Sequence, residues 1–229
     1  MASFGILTIS YQRTKVLELF LASIQRLRKE LGVDFPCVVV GDAEHASLCE
    51  RSKVHHITQE NHPASRKFNT GIDYLMSLGV DYCIILGSDD ICNAELLRNL
   101  IVDMDKGIDL ISINTVYFYA GDGKYKGQLI RIVTTQLLGV ARCISANIIR
   151  QAGTLWTRDK SWGMDGDCLR NILPYVKTKT LVQGICVDVK TNANLNKFSF
   201  WRGQVGDRRD PQEFYEFLSE EEKIILNEL

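Results

Sequence analysis

The chain has 229 residues, with 27 Lys plus Arg against 28 Asp plus Glu, a formal net charge of -1 and 45% apolar residues. That length suits one large domain with a sizeable core. The balanced charge excludes a general nucleic-acid binder, which needs a basic excess, and the composition excludes disordered and fibrous chains.

The first ten residues carry neither a basic leader nor a long apolar stretch, and no apolar run approaches the ~18 residues of a membrane span. A cytoplasmic chain with no transmembrane segment is the expectation. Seven Cys (37, 49, 83, 92, 143, 168 and 186) include no CxxC pair, and several lie in apolar runs. Reduced, buried thiols are predicted rather than disulfides or a zinc site.

Phe4 to Ser10 is a short apolar run ending in polar residues, a buried strand emerging at a site. An amphipathic helix follows, with Thr14 as N-cap, Leu17, Phe20, Leu21, Ile24, Leu27 and Leu31 on one stripe, and Gly32 as its stop. Cys37 to Val40 repeats the strand and ends at Gly41 and Asp42. A short helix and a strand near Val54 to Ile57 come next. From Pro63 a helix runs through Phe68, Ile72 and Leu75 to Gly79, leading to the strand Tyr82 to Leu86 and then Gly87-Ser88-Asp89-Asp90. Such alternation predicts an α/β fold with a mainly parallel central sheet flanked by helices. Further strands are expected at 109–113 and 115–119. With no linker after them, the whole of 1–209 reads as one domain. Residues 210–229 read as a helical tail packed on it, with capping boxes at Asp210 and Ser219.

Ligands in open α/β sheets bind where strands end. Thr8, Ser10, Tyr11 and Arg13 follow the first strand, Asp42 the second, and Ser88, Asp89 and Asp90 the strand at 82–86. Adjacent carboxylates leaving a buried strand repel each other, and a divalent cation with oxygen ligands relieves the repulsion. The alternative is that Asp89 or Asp90 caps a helix running through Ile91, Leu96 and Leu100. Arg66 and Lys67 stand in the first turn of a helix, where a bound pyrophosphate would favour them.

Ile6 to Tyr11, Val38 to Asp42, Arg66 to Gly71, Gly79 to Tyr82, Leu86 to Asp90 and Trp162-Gly163-Met164-Asp165 together resemble the family 2 glycosyltransferases. The resemblance covers roughly residues 5 to 190 and implies a single Rossmann-like GT-A domain. It assigns Thr8, Tyr11, Arg13 and Asp42, with Arg66 and Asn69 nearby, to the nucleoside of a UDP-sugar. The family's DxD motif falls on Gly87-Ser88-Asp89, so Asp89, aided by Asp90, is the implied ligand for Mn²⁺ or Mg²⁺. Arg66 or Lys67 would steady the departing diphosphate. Asp165 is the implied general base, with Asp167 as understudy, and Trp162 could stack on a sugar. Asp165 as a mere helix cap and Trp162 as a core residue are the plainer alternatives. Asp188 stands in for a third metal ligand, in a polar run from 188 to 196 where Lys190 could touch the diphosphate. The cluster from Phe198 to Arg209 is either a lid or packing.

The function implied is metal-dependent transfer of a sugar from a nucleoside diphosphate sugar to a glycan or other hydroxyl acceptor, with inversion. Nucleotidyl transfer onto a sugar phosphate is a second possibility, although no glycine-rich basic loop follows the first strand. A non-catalytic sugar-nucleotide or glycan-binding module is a third, given Gly87 and Met164 at usually acidic positions.

Overall fold

The computed structural model describes residues 1–157, 159–194, 197–202 and 206–229. Its strands are β1 (Phe4–Ile9), β2 (Cys37–Gly41), β3 (His55–Thr58), β4 (Tyr82–Ile85), β5 (Asp90–Cys92), β6 (Leu110–Ile113), β7 (Thr115–Ala120), β8 (Leu129–Val133), β9 (Arg142–Ser145), β10 (Lys179–Val182), β11 (Cys186–Lys190) and β12 (Asp207–Arg209). The helices are α1 (Thr14–Leu31), α2 (Ala46–Arg51), α3 (Ala64–Ser77), α4 (Ala94–Asp105), α5 (Ala146–Ala152), α6 (Met164–Ile172), α7 (Phe198–Arg202), α8 (Gln212–Tyr215) and α9 (Glu220–Asn227).

A seven-stranded sheet has the order β10-β6-β9-β4-β1-β2-β3. The pairings β4–β1, β1–β2, β2–β3 and β10–β6 are parallel, as the strand–helix alternation predicts. β9 runs antiparallel to both of its neighbours, so the sheet is mixed rather than parallel throughout. The chain reaches β9 on its return from a second, five-stranded sheet with the order β12-β8-β7-β11-β5, which the sequence reading did not foresee.

Period-two alternation puts the two faces of the main sheet into different cores. Ile6 and Val39 face one core with Leu17 and Phe20 of α1 and with Phe118 and Val187 of the second sheet. Leu7, Val38 and Val40 face the other, with Ile72 and Leu75 of α3 and Cys168 of α6. All seven cysteines are buried and free.

Three local readings change. Thr14 is the first helical residue, and Arg13 takes the cap position with no side-chain cap bond. Residues 90–92 form a strand, and the N-cap of α4 is Asn93, whose side chain accepts from the Leu96 N–H. The cap of α6 is Gly163, so Asp165 lies in the first turn and is not the N-cap. At the C-terminus Ser219 and Glu222 do form a reciprocal capping box. The segment that follows β12 packs on the body through Phe214, Leu218, Ile225 and Leu226.

Candidate functional site

Three strands converge on one acidic cluster. β4 runs out into Gly87-Ser88-Asp89, β5 begins at Asp90, and β11 carries Asp188 opposite Asp90 in antiparallel register. Carboxylate oxygens of Asp89, Asp90 and Asp188 lie within 4.8 Å of one another, and all three residues are buried.

Like charges this close are tolerated only with compensation. Arg13, just past β1, donates from Nη1 to Asp89 Oδ2 at 2.9 Å and from Nη2 to Ser88 Oγ at 2.8 Å. Lys190 lies 2.6 Å from Asp188 Oδ2 and 3.8 Å from Asp89 Oδ2. Asn194 Nδ2 donates to Asp89 Oδ2 at 2.6 Å, and the Gly87 N–H donates to Asp90 Oδ2 at 2.5 Å. Burial pushes the Asp89 carboxyl up, but the charges of Arg13 and Lys190 outweigh it and hold the group at about 2. For Asp188, burial and the neighbouring Asp89 prevail over Lys190, and its pKa rises to about 7. Asp90 is raised well above the ordinary carboxylate range by burial and by its two acidic neighbours.

The cluster fits a hard divalent cation. Its donors are carboxylate oxygens, which suit Mg²⁺ and Mn²⁺. Asp188 Oδ1 is buried without a hydrogen-bond partner, an orphaned acceptor of the kind a ligand satisfies. Arg13 and Asn194 hold Asp89 Oδ2 and Lys190 holds Asp188 Oδ2, so a cation that binds through those oxygens competes with them.

Asp89 is the member of the cluster that lines a cleft of about 510 Å³, together with Tyr11, Arg13, Trp162, Lys190 and Asn194 among others. Tyr11 and Trp162 leave 41% and 72% of their surface exposed, so both rings are free to stack on a planar or sugar ring. A larger hollow of about 780 Å³ opens near Arg28, Phe35, Lys53 and Tyr74. It lies at the N-terminal ends of β2 and β3, away from the carboxyl ends where α/β sheets bind ligands, so the cleft beside Asp89 is the better reactive site.

The other expected residues divide. Asp42 is half-buried and accepts from the Gln12 N–H at 3.0 Å, joining the ends of β1 and β2. With Glu44 and His45 it makes a second grouping of ligand-type side chains, but Glu44 is exposed. Thr8 is fully buried with an unpartnered hydroxyl, and Ser10 meets the cleft. Lys67 does not reach toward a phosphate. It is buried and donates to the Ser10 carbonyl at 2.8 Å and to Asn61 Oδ1 at 3.3 Å, and burial lowers its pKa. Arg66 is turned to the surface, paired with Asp159 at 2.6 Å. Asn69 clamps the Trp156 backbone through both Nδ2 and Oδ1.

Asp165 and Asp167 face different surroundings. Asp167 is buried and receives bonds from the Thr157 N–H and hydroxyl, Lys160 and Arg170, at 2.5 to 3.1 Å. Burial opposes ionisation, yet these donors hold its carboxyl at about 2, which makes it a weak base and a brace for the chain before α6. The Asp165 carboxylate is exposed and rests against Gly139, where an added Cβ would fall 1.9 Å from its Oδ1. Its carbonyl accepts from Arg142 Nη1 at 3.1 Å. Arg142 pairs with Ile85, so residues 139–141 approach β9 alongside the chain leaving β4. Asp165 therefore sits at the sheet end that carries Asp89.

Asn194 was not singled out from the sequence. Its one signal was the polar run after β11, of which residues 195 and 196 lie outside the described residues, as do 203–205 of the 198–209 segment.

No family model and no curated protein matches the chain. In solved structures 351 chains match, so the scaffold is common and does not by itself fix the chemistry. One of them is the bifunctional IspDF from Campylobacter jejuni, with 12% identity and a TM-score of 0.51, covering 88% of this chain and 53% of that one. The present chain thus spans about half of that protein, and the likeness shows a shared α/β fold. Among the described residues no helix is long and apolar enough to cross a membrane.

Proposed function

We propose that the protein is a glycosyltransferase that moves a sugar, with inversion, from a nucleoside diphosphate sugar of the UDP type to a hydroxyl acceptor. The observation that carries this reading is the buried trio Asp89, Asp90 and Asp188, whose Asp89 opens onto a cleft lined by Arg13, Tyr11 and Trp162. The residues named would hold Mn²⁺ or Mg²⁺, which when bound would neutralise charge on the leaving diphosphate. Arg13 and Lys190 face the same charge and would be freed from Asp89 as the diphosphate arrives. Tyr11 would stack on the base and Trp162 on a sugar ring, excluding water from one face each. Asp165, exposed at the same sheet end, would take the proton from the acceptor hydroxyl as it attacks the anomeric carbon, and a single displacement inverts that centre.

Nucleotidyl transfer onto a sugar phosphate is the second reading, favoured by two neighbouring cations, half-buried Arg13 and buried Lys190, which together suit a triphosphate. The protein should be incubated with Mn²⁺ and a panel of nucleoside diphosphate sugars and acceptors, and separately with nucleoside triphosphates and sugar phosphates. Release of nucleoside diphosphate with a new glycoside is the expected outcome. Release of pyrophosphate would move the assignment to the second reading. Tight nucleotide binding with no turnover in any mixture would contradict both and leave a binding module.

A further inference from the structure

The acidic ribbon has a sulfur pair behind it. Cys92 on β5 stands directly opposite Cys186 on β11, and the next pair but one along the same ribbon is Asp90 opposite Asp188. The Asn93 N–H donates to the Ile185 carbonyl at 3.0 Å, and the Val189 N–H donates to the Asp89 carbonyl at 2.8 Å. Those two pairs are hydrogen-bonded, so alternation makes both Cys92–Cys186 and Asp90–Asp188 non-hydrogen-bonded pairs. Residues two apart on a strand share a face, which puts the two thiols and the two carboxylates on one side of the ribbon.

In non-hydrogen-bonded pairs the Cα atoms approach to about 4.5 Å, the near edge of the range a disulfide spans. The sulfurs already lie 3.3 Å apart.

We propose that Cys92 and Cys186 are a redox modification site, forming a reversible cross-strand disulfide that resets the acidic ribbon carrying Asp90 and Asp188. The oxidant is a small peroxide. One thiolate attacks a peroxide oxygen and the O–O bond breaks, leaving a sulfenic acid while the departing hydroxide takes the thiol proton as water. The second sulfur then attacks the sulfenic sulfur, the S–O bond breaks, and a second water leaves with the second proton. Two thiols and one hydrogen peroxide become one disulfide and two waters, with two electrons passing from sulfur to oxygen. Both thiols are buried, so oxidation waits on an opening of the ribbon. β5 provides it, being a three-residue strand at the edge of its sheet. An attacking dithiol reverses the bond by thiol–disulfide exchange, in which its thiolate displaces one of the two sulfurs.

A non-hydrogen-bonded pair at about 4.5 Å is closer than the ~5.5–6 Å at which most disulfides sit, so the bond spreads the two strands and moves Asp90 away from Asp188. Cation affinity at the trio should therefore fall on oxidation. This second half rests on the reading that the trio holds a divalent cation.

The test treats the folded protein with a small excess of hydrogen peroxide, maps disulfides by peptide mass spectrometry without reduction, and titrates Mn²⁺ calorimetrically before and after. The expected result is a Cys92–Cys186 peptide, removed by dithiothreitol, and Mn²⁺ affinity at least threefold weaker when oxidised. Cys92→Ser and Cys186→Ser should bind Mn²⁺ as the reduced protein does and ignore peroxide. A map with no Cys92–Cys186 linkage overturns the proposal. Linkage with unchanged Mn²⁺ affinity overturns the reset of the ribbon. If reduced protein binds no Mn²⁺, the cation reading of the trio fails, whereas the peptide map still decides the disulfide.

Discussion

At Gly87 the space a side chain would need is already filled. A Cβ there would lie 2.6 Å from Asp89 Oδ1 and 3.0 Å from Asp90 Oδ2, and both carboxylates are pinned by Arg13, Asn194 and the Gly87 N–H. Restoring the acidic residue that the glycosyltransferase pattern carries at this position should therefore harm the site. Gly87→Asp is expected to weaken Mn²⁺ binding about tenfold or more by calorimetry, a loss of ~1.4 kcal/mol; tighter binding would show that the trio is not packed as described. Asp167 makes a separate prediction through pH. Its folded pKa of about 2 lies below the unfolded ~3.9, so its contribution is full above about pH 4 and is lost as pH falls through 2. Asp167→Asn should cost about 1–3 kcal/mol at neutral pH, and the gap in melting temperature from the unaltered protein should close as pH drops from 5 to 2. A gap that stays constant with pH would deny the carboxylate its bracing role.

Among the elements, α1 joins the site to the C-terminal segment. Its N-terminal end presents Arg13 to Asp89, and midway along it Arg26 is buried against Glu222 at 2.8 Å and donates to the Cys92 carbonyl at 2.8 Å. Removing one partner of a buried pair leaves the other charge uncompensated. Glu222→Gln should lower stability by roughly 3 kcal/mol in urea unfolding, and an unshifted midpoint would show that α9 is only loosely applied. The helices and main-sheet strands were legible because each has a period of its own: Leu17 to Leu31 repeats at helical spacing, and Cys37 to Val40 is a short β-branched run bounded by polar residues. β5 was not legible. Three residues carry no period, its partner β11 lies more than ninety positions away, and Ile91 fits a helical stripe equally well. That misreading hid the ribbon that brings Asp90 to Asp188.

Over the whole molecule, the two sheets share one core through Ile6, Phe118 and Val187, so the β11 carboxylate is held against the end of β4 by packing across both. Sequence reasoning named Asp89, Asp90 and Arg13 from their positions after strands and Asp188 from the family resemblance, and the fold brings the four together. It could not foresee Lys67 turning to the Ser10 carbonyl or Arg66 to Asp159, because both depend on segments distant in the chain. Asp89, Asp90 and Asp188 are proposed to hold a cation that grips a nucleoside diphosphate in the cleft beside Arg13. A ligand at a hundred times its dissociation constant stabilises by ~2.7 kcal/mol, worth about 5–10 °C in a chain of this size. The direct measurement is the melting temperature with UDP alone, Mn²⁺ alone and both together, in the native protein and in Asp89→Asn. The shift with both ligands should exceed the sum of the single shifts and vanish in Asp89→Asn. Equal shifts in the two proteins, or none with any nucleoside diphosphate, would contradict the proposal.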